Sequence, residues 1–489
     1  MTIKEYKFWF VAGSQFLYGE ETLKQVKKNC EVIVAELNKS KKIPCGIEFK
    51  TIVVTNESAT KIVKEANYDD SCAGIITFCH TFSPSKMWIN ALVGLQKPWL
   101  HFHTQFNEEI PNEAIDMDYM NLHQSAHGDR EHGFIGARLR TPRKVVAGYW
   151  KNPAVQEKIG KWQRSAVGAA LSKALKVVRF GDNMREVAVT EGDKVGVQAK
   201  LGWQVNTFPV GELVEYMEAV SEKELNAKLK EYKEKYNFDQ KGDETVRYQA
   251  REEIAILKIL GREGAKAFSN TFQDLYGMKQ LPGLATQNIM AAGYGYGGEG
   301  DWKVSAMTAI VKGMTEDLKG GTSFMEDYTY DLKNGISLGA HMLEVCPTLA
   351  AGKVRIETHP LGIGDREPPA RLVFEGKAGP AVVASLIDMG GRLRLIVQDI
   401  LCVKPSQTMP NLPVARVMWK PLPDLERGAE CWILAGGAHH TVLSYDVDAE
   451  ILRDWARIME IEFVYINEKT EPETFEKELL ISDMVWRNQ

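Results

Sequence analysis

The stretch ILAGGAHHTVLSY (433–445) reads as a buried strand, small and apolar throughout except for His439 and His440. It closes a series of short strand-like runs beyond Gly320: ISLGAHMLEVC (336–346), KVRIETH (353–359), ARLVFEG (370–376), AVVASLIDMG (381–390), LRLIVQDILCV (393–403) and PVARVMWK (413–420). Short β-type runs separated by Gly and Pro predict an antiparallel β domain or barrel for this part of the chain. One helix, around 449–460, follows before a charged tail. Two adjacent imidazoles in such a run need a reason, because the chain holds only ten histidines in 489 residues. Successive strand side chains point to opposite faces, so only one of the pair enters a given pocket.

The N-terminal texture is different. KFWFVAG (7–13), IEFKTIVV (47–54), GIITFC (74–79) and PWLHFHT (98–104) are short β-branched or aromatic runs alternating with helix-length segments. That alternation predicts β-α-β units and a parallel sheet, with ligands at the carboxyl ends of the strands. GSQFLYG (13–19), CHTFSPSKMWI (79–89) and HTQFN (103–107) occupy that edge, and none has the glycines of a phosphate loop. A helix from about Pro153 to Leu175 leads to a second start at KVVRFGDNM (176–184). The acid–base pairs between Ser221 and Arg251 predict a solvated helical surface, with more helix to about Gln273. Three domains are expected: residues 1–172 and 173–320, both α/β, and 321–489, β-rich.

Composition narrows the function classes. Apolar residues make up 44% and charged residues 26%, and the net charge of −5 is spread without basic blocks. Nucleic acid and anionic membranes are therefore not expected as partners. Seven cysteines with no C-x-x-C pair fit a reducing, cytoplasmic setting, and no signal peptide or membrane-spanning run is read.

Four stretches carry candidate chemistry. GYGYGGEGDWK (293–303) contains G-x-G-x-x-G, but the preceding TQNIMAA is helix-like, so a dinucleotide loop is not expected; the glycines free a tight loop that presents Glu299 and Asp301. Taken alone, Glu299 reads as a surface or capping acid. GGTSFMEDYTY (320–330) sets Glu326 and Asp327 among aromatics, as a structural salt bridge or a functional acid. LGAHMLEVCP (338–347) embeds His341, with Leu343 on its face and Met342 and Glu344 on the other, where a hydrogen-bonded core histidine is the plain alternative. HGDREHGF (127–134) suits a surface ion-pair cluster, a loop at a sugar site or a subunit contact. Two Glu and two His together suit a divalent ion with octahedral leanings such as Mn²⁺, and no cysteine sits at zinc spacing.

These runs occur in a familiar order. FWFVAGSQFLYG, CHTFSPSKMWI, FHTQFN, MDYMNLHQSAHGDREHGFI, VAVTEGDKV, GYGYGGEGDWK, GGTSFMEDYTY, LGAHMLEVCP, HPLGIG and WKPLPDL with WILAGGAHHTVLS span nearly the whole chain, which resembles the L-arabinose isomerase family from end to end. The resemblance implies two Rossmann-like α/β domains followed by a C-terminal β-barrel-type domain. It implies a Mn²⁺ site, one ion per subunit with Co²⁺ or Mg²⁺ able to substitute, on Glu299, Glu326, His341 and His440, with His439 pointing away and Glu299 and Glu326 as the catalytic acids. Gln15, Leu17, Phe82, Met184, Phe272 and Tyr328 match substrate-pocket positions, and His127 would come from a neighbouring subunit of a tetramer or hexamer. The activity implied is L-arabinose to L-ribulose, with D-galactose to D-tagatose beside it. A different aldose preference or a hydride shift is the alternative. Many members of the family carry histidine where Phe16 stands, which bears on preference rather than on the metal set.

Overall fold

Residues 1–238, 243–362 and 365–486 are described by the computed structural model. Ile363 and Gly364, the end of HPLGIG, lie outside them. The chain forms two compact units, Met1–Ala170 with Arg453–Glu460, and Leu171–Leu452 with Ile461–Gln489.

In the first unit, KFWFVAG becomes β1 (Lys7–Gly13), buried at every position but Lys7. Covered on both faces, such a strand shows a continuous apolar run instead of alternation. It is an inner strand of a five-stranded sheet with β2 (Gly46–Val53), β3 (Cys72–Cys79), β4 (Trp99–His103) and β5 (Lys144–Ala147), in the order β2-β1-β3-β4-β5 and parallel throughout. The order reverses between β1 and β3, which opens a crevice at their carboxyl ends.

The second unit repeats the device. Strands β6 (Lys176–Phe180), β7 (Gln204–Phe208), β8 (Ala267–Asn270) and β9 (Gly295–Gly297) form a parallel sheet in the order β7-β6-β8-β9, reversing between β6 and β8. The same unit contains β10 (Thr322–Asp331), β11 (Ile336–Ala340), the separate pair β12 (Arg355–Thr358) and β13 (Ala370–Val373), β14 (Gly379–Asp388), β15 (Leu393–Val403), β16 (Val417–Pro421), β17 (His440–Ser444) and β18 (Glu462–Ile466). Six of these close an antiparallel barrel, β14-β17-β10-β11-β16-β15 and back to β14. The eleven-residue β15 allows closure: its first half pairs with β18 and its second half with β16 on one edge, while β14 runs along the other. The helix Trp302–Met314 packs against β8 and β9 and against β10 and β17, joining sheet and barrel.

Four local expectations are corrected. The apolar run before the histidines is not strand: Leu425–Leu434 is a helix, N-capped by the Asp424 side chain and ended by Gly436 at φ 78°, so the strand begins at His440. The helix expected to reach Gln273 stops at Glu263, and Ala267–Asn270 is β8, four residues buried throughout and so without alternation. Gly295–Gly297 is itself a short strand. The charged tail folds as β18 and the helix Pro472–Trp486, held by Arg394, which donates to Glu462 and Asp483 at 2.9 Å. All seven cysteines are buried thiols with no disulfide between them, and among the described residues no helix is long and apolar enough to cross a membrane.

Candidate metal centre

Barrel register gathers three of the four expected ligands. Glu326 of β10 lies directly opposite His440 of β17 and, on its other side, opposite Ala340, the last residue of β11. Directly paired residues share a face, so Glu326 and His440 point the same way and His341 follows at the strand's end. Glu299 arrives from the loop between β9 and the helix Trp302–Met314. The four form two close pairs: His341 Nε2 is 3.8 Å from Glu326 Oε2, and His440 Nε2 is 3.7 Å from Glu299 Oε2. The two imidazole centroids are 6.1 Å apart. Phe324, fully buried, meets both rings edge-on at 4.9 and 5.1 Å.

Behind the imidazoles stand two buried carboxylates. His341 Nδ1 donates to Glu344, and His440 Nδ1 donates to Asp301 Oδ2 at 3.2 Å. Asp301 also caps the helix Trp302–Met314 through the Lys303 and Val304 amides. This is the outer arrangement that fixes the tautomer of metal-binding histidines and frees Nε2 for the ion. His440 Nε2 is buried and has no hydrogen-bond partner among the described residues, a state that needs an explanation in a folded core. A divalent ion supplies one, since cis donors at about 2.1 Å from an ion stand about 3 Å apart and the observed pairs are only slightly wider. The residues fit the group.

The electrostatics agree. Burial pushes the Glu299 carboxyl up, but the hydrogen bond from His439 and the charges of His440 and His341 together hold it below the usual range. Burial pulls the His341 imidazole down, yet Glu344, then Glu326 and Glu299, outweigh it and raise it to about 9. Glu299 sits at φ 61°, a left-handed conformation costing a non-glycine residue about 1–2 kcal/mol. A Cβ on Gly298 beside it would stand 3.1 Å from the His341 ring, a tight contact.

His439 does not point away. It precedes β17, so strand alternation does not reach it; its Nε2 is 3.6 Å from Glu299 Oε2 and its ring 4.3 Å from that of His440. Among the described residues, Glu299, His439 and His440 are the one set of three donors all within 4.8 Å of one another. Glu344 likewise turns to His341, although alternation set it on the opposite face, because β11 has already ended at Ala340.

Comparisons with known families match nearly the whole chain. Residues 2–174 match the model of the L-arabinose isomerase N-terminal domain, 176–317 that of its central domain and 321–462 that of its C-terminal domain. A curated L-arabinose isomerase of Geobacillus stearothermophilus is 55% identical over 497 residues, covering 100% of both chains. That of Thermotoga maritima is 54% identical over 488 residues, covering 99% of this chain and 98% of its own. The chain belongs to the L-arabinose isomerase family.

The remaining positions that the L-arabinose isomerase resemblance pointed to fall into two groups. Gln15, Leu17, Phe82 and His127 line one open depression of the first unit, at the carboxyl ends of β1 and β3 where the strand order reverses. Met184, Phe272 and Tyr328 belong to the second unit. The Met184 amide donates to the Glu299 carbonyl at 3.1 Å, and the Phe272 ring stacks on His341 at 5.7 Å. Tyr328 is the extra residue of a bulge in β10, where the register against β11 slips, a device that re-aims a side chain. Asp129 in HGDREHGF is buried and accepts from His101 and His103, so that stretch is not a surface ion-pair cluster. Glu344 and the bond from His440 to Asp301 were missed from sequence; for Glu344 the signal was an acid inside an apolar run.

Proposed function

We propose that this chain is an aldose–ketose isomerase converting L-arabinose to L-ribulose, and D-galactose to D-tagatose, through an enediol. The observation that carries the reading is the buried, unpartnered Nε2 of His440 beside Glu299, paired across the barrel face with Glu326 and His341, in a chain 55% identical to a curated L-arabinose isomerase. Glu299, Glu326, His341 and His440 would hold Mn²⁺. When bound, the ion supplies Lewis acidity toward adjacent sugar oxygens.

The chain's own residues would do the rest. Isomerisation moves a proton between C2 and C1 and another between the two oxygens, which calls for a base and an acid on one small substrate. Glu299 and Glu326 divide these transfers. Glu299, kept ionised by three imidazoles, is ready to accept a proton. Asp301 and Glu344 hold the ligand rings in register. Phe272 and Tyr328 give the pocket apolar walls that limit competing water. In this reading the protein is a homo-oligomer, tetramer or hexamer, and the depression carrying Gln15, Leu17, Phe82 and His127 is lent to the metal centre of a neighbouring subunit.

The test is incubation of the protein with Mn²⁺ and a panel of aldoses in deuterated water. Ketose from L-arabinose carrying solvent deuterium at C1 is expected. Ketose without deuterium would indicate a hydride shift, and no ketose from any aldose would overturn the reading.

A further inference from the structure

Glu299 holds a left-handed backbone that persists only where its surroundings over-determine it. The bonds that fix it are visible. The Glu299 carbonyl accepts from the Met184 amide at 3.1 Å, the Gly300 amide donates to the Asn270 carbonyl at 2.8 Å, and the Gly300 carbonyl accepts from Asn183 Nδ2 at 3.3 Å. Asn183 and Met184 lie together just past the carboxyl end of β6. Their segment meets the glutamate loop backbone to backbone, since a Cβ on Gly300 would stand 2.6 Å from the Asn183 Cα.

Asn183 is braced in turn. It is 4% exposed, its Nδ2 also donates to the Thr190 carbonyl at 2.7 Å, and its Oδ1 accepts from the Arg179 guanidinium. Arg179 rises buried from β6, donating to Thr207 Oγ1 at 3.1 and 2.8 Å and pairing with Asp182 at 2.9 Å. Arg179 thereby ties the Asn183 amide oxygen to β7 through Thr207 and to the loop through Asp182.

We infer that Asn183, braced by Arg179, is a positioning residue for the metal centre: it locks the Glu299 loop in its left-handed turn so that the carboxylate faces His440. The inference rests on the metal reading above. Without the Asn183 amide the loop relaxes toward negative φ, which swings the Glu299 carboxylate off its bearing while sheet and barrel stay intact.

The experiment is calorimetric titration of the metal-free full chain with Mn²⁺, together with its heat-denaturation midpoint. Asn183→Asp keeps an acceptor for Arg179 but loses the amide donor; Asn183→Ala loses both. Both are expected to bind Mn²⁺ ten- to a hundredfold more weakly than the unaltered chain, the usual loss when an outer partner of a metal ligand is removed. Thr207→Val, on an exposed strand position, loosens Arg179 gently and is expected to weaken binding less, in the same direction; it keeps the test alive should the Asn183 variants fail to fold. A lower denaturation midpoint with Mn²⁺ affinity within twofold of the unaltered chain would mean a merely structural part and overturn the inference. Failure of the metal reading is distinct: the unaltered chain would bind no Mn²⁺, or Glu299→Gln would bind it equally well.

Discussion

Replacing Glu344 by glutamine tests whether a proton competes with the metal at His341. In the metal-free chain burial favours the neutral ring, but Glu344 and the two site glutamates outweigh it and the pKa stands at about 9. At pH 7 the ring then carries its second proton in about 99% of molecules. A metal has to displace that proton, so its apparent affinity should rise nearly tenfold per pH unit well below the pKa and about fiftyfold from pH 7 to 9, or roughly 2.3 kcal/mol. Glutamine keeps an acceptor for Nδ1 but removes the charge; burial then prevails and the ring is neutral throughout this window. Titration with Mn²⁺ at pH 7.5 in two buffers of different ionisation enthalpy counts the protons released. About one per ion is expected for the unaltered chain and close to none for Glu344→Gln. Stability of the metal-free protein provides the sign check. A pKa raised above the unfolded value near 6.5 gives stability that is complete below 6.5 and lost as pH rises through 9. The unaltered chain should therefore weaken across that window by up to about 3 kcal/mol, and the variant should not. Equal proton release from the two proteins would refute the reasoning.

The other predictions are shorter. Glu299→Gln and Glu326→Gln should each lower turnover by at least a hundredfold at saturating metal, with the circular dichroism spectrum unchanged; a variant retaining near-full activity removes the acid–base pair. His440→Asn should lose Mn²⁺ and His439→Asn should keep it, because only His440 combines a buried free Nε2 with a carboxylate on Nδ1; equilibrium dialysis decides. Mixing His127→Ala with Glu326→Gln subunits after partial unfolding should restore a fraction of activity if sites are shared between subunits, and none if each chain works alone. Glu462→Gln leaves the buried Arg394 guanidinium with Asp483 as its remaining carboxylate, so a loss short of the about 3–5 kcal/mol of a fully broken buried pair is expected from denaturant titration.

Much of the fold was legible for a physical reason. Strands buried on both faces, such as β1 and β3, and the short barrel strands are β-branched or aromatic and bounded by Gly or polar turns. What escaped notice was short or mixed. AFSN is four buried residues, too few to show a period. LERGAECWIL carries a helical stripe, but its last four residues join the apolar run before the histidines and read as strand. The tail looked solvated because its charges are numerous, yet Arg394, Glu462 and Asp483 are charges turned inward on one another.

The site shows where alternation stops being informative. Residue types pointed to candidate donors, but alternation allowed only one of two adjacent imidazoles into the pocket, and both approach Glu299. It failed at His439 and Glu344 because both lie just outside a strand, where nothing obliges a side chain to keep the period of two. It also said nothing about Tyr328, since a bulge is invisible until the partner strand is known. Convergence itself comes from register: the direct pairing of Glu326 with His440, and of Glu326 with the last residue before His341, is a property of three strands at once. Asp301 shows the same thing in a single carboxylate. One oxygen caps a helix, which the local sequence suggests, and the other holds His440, 139 residues away. The helix that joins sheet to barrel is thereby coupled at its first turn to His440, so packing that positions the helix also positions the imidazole.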